Sequence, residues 1–267
     1  SGIGVDIWQY NPAVQDWDWV SYGTTDTSGN YTADGLVTGD YRVAFSDPLN
    51  QFEEEFYNDK PTMEGADNVH VNLGYTTANI NASLALKTVS LENALASGWN
   101  LVSLPLTLPD PTPASAFASI DGDYGLVYAY NGCLSSNQWK SYNPNIPPVL
   151  NTLTAVDPKQ GLWLQTTSPV TLRLTGAWPL STAINLCTGW NLIGYPSATP
   201  RSPSTALSGI SGKYDLVYAY DAFDTADPWK SYSPSAPPDA NDLTTMRPWL
   251  GYWIRMTSAA TLTVPGR

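Results

Sequence analysis

Apolar and polar residues alternate along much of this chain in short runs, and clusters of Gly, Pro, Asn and Asp separate the runs. Near the start, "VDIWQY" puts Val5, Ile7 and Gln9 on one side. The stretches "WDWVSYGTT", "GNYTADGL", "GDYRVAFSD", "NVHVNL" and "ANINASLAL" follow with the same period of two. That period, with turn residues between the runs, predicts half-buried strands of a β-sandwich over residues 1–86. "DTSGNY" and "VTGDY" read as hairpin-type connections.

Beyond residue 86 the pattern changes and then repeats. "GWNLVSLPL" from Gly98 returns as "GWNLIGYPS" from Gly189, an offset of 91. "LVYAY", "WKSY" and "GLWLQTTSPVTLRLTG" return as "LVYAY", "WKSY" and "GYWIRMTSAATLTVPG" at an offset of 90. Blocks in unchanged order mark a duplication of a whole structural unit, longer than a solenoid period. The expected division is a first repeat over 87–183 and a second over 184–267, as one domain or two. Each repeat predicts several strands and one short helix. Thr112 or Ser202 caps that helix, Pro113 or Pro203 opens it, and Phe117/Ile120 or Leu207/Ile210 face the core. The fold class is therefore mostly β.

Composition narrows the picture. The 267 residues hold 13% charged side chains and 12% aromatic ones, with a formal net charge of −12. Residues 1–86 contain Arg42 and Lys60 against thirteen acids, a balance of −11, whereas residues 87–267 are nearly neutral. Such a surface repels a phosphate backbone, so nucleic acid is not an expected partner. No run approaches the roughly 18 apolar residues of a membrane-spanning helix. Two cysteines, Cys133 and Cys187, with one histidine fall short of a structural zinc set. In an exported chain they read as one disulfide.

The run "TTDTSGNYTADGLVTGDYRVAFSDP", followed by "EEEFYNDKPT", resembles the carboxypeptidase-regulatory-like or Cna-B-like Ig-type domains of bacterial and archaeal surface proteins. The resemblance rests on Asp26, Gly29, Asn30, Tyr31, Gly35, Leu36, Gly39, Tyr41 and Val43. It implies an extracellular or cell-surface location and a spacer or stalk role, with no cofactor. The GWNL…GYWI units also resemble uncharacterised repeats of exported bacterial and archaeal proteins. Against the Ig-type pattern the chain lacks a first strand, and the expected vacancy is an acceptor edge beside Val5, Ile7 and Gln9.

Candidate chemistry is sparse. His70 alternates outward in "NVHVNL" and has no nucleophile elbow to serve. Glu53, Glu54, Glu55 and Asp59 could supply a glycosidase pair, but adjacent acids also make an ordinary solvated edge. Asp26, Asn30 and Asp34 are spaced like a calcium loop, yet Tyr31 stands where that loop needs glycine. A hairpin turn is the competing reading. Asn30 and Asn81 begin N-x-[ST] glycosylation triplets. Trp139, Tyr142, Trp229 and Tyr232 are candidates for a ligand or interface surface, with alternation placing the Trp and Tyr of each segment on opposite faces. Core packing, a protein interface and a glycan platform all accommodate them.

These observations favour a non-enzymatic, exported structural protein: a filament subunit that polymerises head to tail with copies of itself by β-strand addition. An adhesion or carbohydrate-binding fragment of a larger surface protein is the alternative.

Overall fold

The computed structural model describes residues 1–266. The chain divides into two compact units, Ser1–Lys87 and Thr88–Arg267, each built mainly from antiparallel strands.

The N-terminal unit contains β1 (Gly4–Asn11), β2 (Asp16–Thr24), β3 (Gly39–Ser46), β4 (Glu55–Phe56) and β5 (Val69–Val71). They form one five-stranded sheet in the order β2-β1-β3-β4, with β5 also paired to β3. Val5, Ile7, Tyr41, Val43, Phe45 and Val69 bury one face of it.

The expected open edge beside Val5, Ile7 and Gln9 does not exist. Val5 lies between Gly23 of β2 and Phe45 of β3, Ile7 between Ser21 and Val43, and Gln9 between Asp18 and Tyr41. Strand β1 is therefore central. Alternation reveals which face a strand buries, but its lateral neighbours are set by chain returns that a period of two does not encode.

A second correction concerns the layer facing this sheet. "ANINASLAL" keeps its alternation with Ile80, Ala82 and Leu84 turned toward the buried face; "GNYTADGL" does so at Tyr31 and Ala33, and Gly35 at φ 80° shifts the phase so that Leu36 joins them. Yet Tyr31–Leu36 and Ile80–Leu84 join no ladder among the described residues. Tyr31 Oη donates to the Ile80 carbonyl at 2.8 Å, and burial followed by the nearby Tyr57 pushes its phenol up to about 12.

In the second unit the first repeat comprises β6 (Thr88–Leu95), β7 (Gly98–Ser103), α1 (Pro113–Ala116), β8 (Tyr124–Tyr130), β9 (Trp139–Tyr142), β10 (Gly161–Thr166) and β11 (Val170–Ala177). The second comprises β12 (Ser181–Leu186), β13 (Gly189–Ile193), α2 (Pro203–Ala206), β14 (Tyr214–Tyr220), β15 (Trp229–Tyr232), β16 (Tyr252–Met256) and β17 (Ala260–Pro265). A division at 183/184 cuts through β12, and both repeats lie in one compact unit.

Each repeat packs a four-stranded sheet (β7-β10-β8-β9 or β13-β16-β14-β15) and a two-stranded ribbon (β6–β11 or β12–β17) around its own core. The short helix plugs that core. Thr112 and Ser202 accept hydrogen bonds from the Ser115 and Thr205 amides, and the following 3-10 turns bury Ile120 and Ile210. Phe117 and Leu207 are fully buried between them. Truncating Phe117 to alanine would cost about 3–5 kcal/mol.

The Gly-Trp-Asn motif also has a mechanical reading. Gly98 and Gly189 turn at φ 93° and 95°, where L-residues are strained. Buried Asn100 then ties the turn, donating to the Ala96 and Gly98 carbonyls and accepting from the Ala96 amide. Asn191 makes the same three bonds with Cys187 and Gly189. Each asparagine thereby satisfies main-chain groups at the ribbon-to-sheet corner.

Candidate functional site

In both four-stranded sheets one face is aliphatic and the other aromatic. On the first, Val102, Val127, Ala129, Leu162 and Leu164 point into the core. Period-two alternation turns Trp99, Tyr128, Tyr130, Trp139 and Trp163 the other way, and cross-strand register brings Trp163 opposite Tyr128 and Tyr130 opposite Trp139. The second sheet repeats this with Trp190, Tyr218, Tyr220, Trp229 and Trp253.

The two aromatic faces meet. Leu101 and Leu192 are buried at this junction. A Cβ on Gly251 would stand 3.1 Å from Leu101, and one on Gly161 would stand 2.7 Å from Leu192. The glycine that begins "GLWL" and "GYWI" is thus the socket for the opposite repeat's leucine. Main-chain bonds close the junction, from the Gly251 amide to the Leu101 carbonyl and from the Gly194 amide to the Lys159 carbonyl.

Around this junction the rings form a closed circuit. It runs Trp163–Trp99–Tyr128–Trp139–Trp253–Trp190–Tyr218–Trp229 and back to Trp163, with centroid separations of 5.9–6.3 Å. Tyr130 wedges between Trp139 and Trp253, and Tyr220 between Trp229 and Trp163, at 5.0–5.3 Å. Each favourable pair contributes about 0.5–1.5 kcal/mol beyond burial.

None of these ten rings is fully buried. Trp99, Trp139 and Trp229 are 36%, 49% and 42% exposed. Trp99, Tyr128, Trp139, Trp163 and Tyr220 line an open cleft of about 380 Å³. That volume falls within the usual range of small-molecule sites, about 300–1,000 Å³. No charged side chain lines it. The Tyr128 and Tyr220 hydroxyls and the Gln165 amide make no hydrogen bond within the described residues, so they are open to a partner.

Of the aromatics singled out from sequence, the structure brings Trp139 and Trp229 into this circuit. Tyr142 and Tyr232 pack instead on the core faces, where Tyr142 stacks on Tyr124 at 6.5 Å. The sequence pattern does not single out Trp99, nor does it place Tyr220 across the junction. Their signal was present: in each strand the residues out of phase with Val and Leu are Trp and Tyr.

The other candidates are scattered. His70 Nδ1 meets Asp40 Oδ1 at 2.7 Å on an exposed strand. Glu53 and Glu54 are exposed. Glu55 is half-buried, and desolvation raises its pKa, opposed by the Ser83 amide and reinforced by Asp59. The Asp26 carboxylate accepts from the Ser28 and Asn30 amides and closes a turn, and these bonds, Asn30 first, lower its pKa. Among the described residues no group of three or more His, Cys, Asp or Glu converges on a metal position. Asn30 and Asn81 are both exposed. Cys133 and Cys187 form a disulfide. No described helix is long and apolar enough to cross a membrane.

Compared with family models, curated proteins and solved structures, the chain matches none.

Proposed function

We propose that this chain is a non-enzymatic, exported adhesion module whose tandem-repeat unit binds neutral carbohydrate in the aromatic cleft. The observation that carries the reading is the cleft lined by Trp99, Tyr128, Trp139, Trp163 and Tyr220, which stays open instead of being packed shut. A pyranose ring offers flat C–H faces for indole rings and hydroxyl edges for phenols and amides. Trp and Tyr supply both kinds of contact from one side chain. The uncharged lining favours a neutral sugar over an anionic one. An exposed aromatic patch also suits a protein partner, so the test must separate the two.

Binding to a glycan array, followed by calorimetry on the best neutral oligosaccharide, provides that test. Trp139→Ala should weaken binding at least tenfold while circular dichroism and melting show an intact fold. Absence of binding to any neutral glycan overturns the proposal.

The filament reading that the sequence favours required a free edge beside β1, and β1 is paired on both sides. Polymerisation by strand addition at that edge is not part of the proposed function.

A further inference from the structure

The N-terminal unit holds two segments with the sequence pattern of strands and no ladder to belong to. Between Tyr31–Leu36 and Ile80–Leu84 runs a trench whose floor is the apolar sheet face, including Ile7, Val43 and Phe45. The Tyr31 side chain crosses it and divides it into hollows of about 450 and 310 Å³, both bordered by Gly29, Tyr31 and Asn81.

The walls are joined by one side-chain bond, Tyr31 Oη to the Ile80 carbonyl. They therefore stand further apart than the about 4.8 Å of paired strands. Three carbonyls fix the outward direction: that of Thr32 packs against Gly23, that of Asp34 accepts from Ser21 Oγ, and that of Ala85 accepts from the Glu53 amide. In an extended chain the alternate residues then direct their N–H and C=O groups the other way, into the trench. Those residues are Tyr31 and Ala33 on one wall, and Ile80, Ala82 and Leu84 on the other. Apart from the Ile80 carbonyl, their main-chain groups have no hydrogen-bond partner among the described residues.

We infer that this trench is a strand acceptor that takes an extended, basic β-strand of a separate polypeptide. Two facing rows of unpaired main-chain groups over an apolar floor match an inserted strand, which satisfies both rows at once and seats alternate side chains on the sheet. A compact small molecule would leave most of those groups unpaired. Charge sets the partner's outward residues: Asp34 borders one hollow, no Lys or Arg borders either, and residues 1–86 carry a balance of −11. Lysine or arginine on the solvent side of the incoming strand meets this field favourably. Tyr31 is the latch, its ring edge-on to Phe45 at 5.9 Å, and insertion swings it out.

The test uses the full chain, a seven-residue probe peptide alternating Val and Thr between terminal lysines, and residue-resolved amide hydrogen exchange. Saturating peptide should slow exchange at least tenfold across residues 31–36 and 80–84. A control peptide with proline in place of its central valine should not. Tyr31→Phe keeps the ring on Phe45 but removes the bond to Ile80, and should bind the probe several-fold more tightly. Failure to protect these amides in both the native chain and Tyr31→Phe overturns the inference. Protection that arises without peptide and grows with protein concentration would assign the trench to a second copy, and overturns it equally.

Discussion

Trp99 and Trp190 hold equivalent places in the two repeats, yet Trp99 is exposed beside an open cleft and Trp190 is half-buried. Arg255 places its guanidinium 5.7 Å from the Trp190 ring and is held there by two hydrogen bonds to Asp215, at 2.7 and 3.0 Å. The corresponding residues in the first repeat are Gln165 and Gly125, so nothing charged caps Trp99. The loops differ as well. Gly132 approaches the Trp190 carbonyl so closely that no side chain fits there, and the next residue is tethered by the Cys133–Cys187 bond. Its counterparts are Ala222 and Phe223, and Phe223 is 61% exposed. The two aromatic faces share their rings and differ in the few residues that surround Trp99 and Trp190.

The disulfide should show the largest effect. Replacing both Cys133 and Cys187 by serine removes a link that closes a 54-residue loop, worth roughly 4 kcal/mol in the chain-entropy model. Calorimetry should record a melting temperature lower by about 10 °C. An unchanged melt would break the view that this bond secures the Trp190 side.

Next comes the contrast between the two tryptophans. Trp99→Ala should weaken glycan binding at least tenfold, equivalent to about 1.4 kcal/mol, while Trp190→Ala should change it less than twofold. Equal losses in titration calorimetry would show that both faces bind.

Opening the Trp190 face is a subtler change. Arg255→Gln combined with Asp215→Gly gives the second repeat the first repeat's residues, and a second, weaker binding event should appear. If stoichiometry stays at one, the tethered loop alone keeps Trp190 shut.

The smallest effect is with pH. Hydrogen bonds from Arg255, then its charge, hold the Asp215 carboxyl below its ordinary value of 3.8. The pair's contribution is therefore complete above 3.8 and is lost as pH falls through the lower folded value. Below that point the Trp190 indole resonance should shift in NMR spectra while that of Trp99 holds. Matching shifts at both indoles would assign the effect to global acid unfolding.

Much of this fold was legible in the residues. Period-two runs located most of the strands, though not β4, β6 or β12, and Thr112-Pro113 and Ser202-Pro203 marked both helices, because these signals concern a residue and its near neighbours. The aromatic site was only half legible. Alternation separated Trp139 from Tyr142, but the convergence of Trp163 with Tyr220 depends on how one repeat docks on the other. "GNYTADGL" and "ANINASLAL" carry a strand pattern, and what they lack is a hydrogen-bonding partner, which no local pattern can supply.

By itself, the sequence determined the mostly β class, the duplication, the acidic N-terminal unit and the face each strand buries. All of these follow from composition or from periodicity along one chain. Tertiary structure decided that β1 is a central strand, that the two repeats share a junction of leucines in glycine sockets, and that Trp99 borders an open cleft while Trp190 lies beneath Arg255. Lateral pairing and docking join residues tens of positions apart, and a side chain's exposure depends on what another segment brings against it.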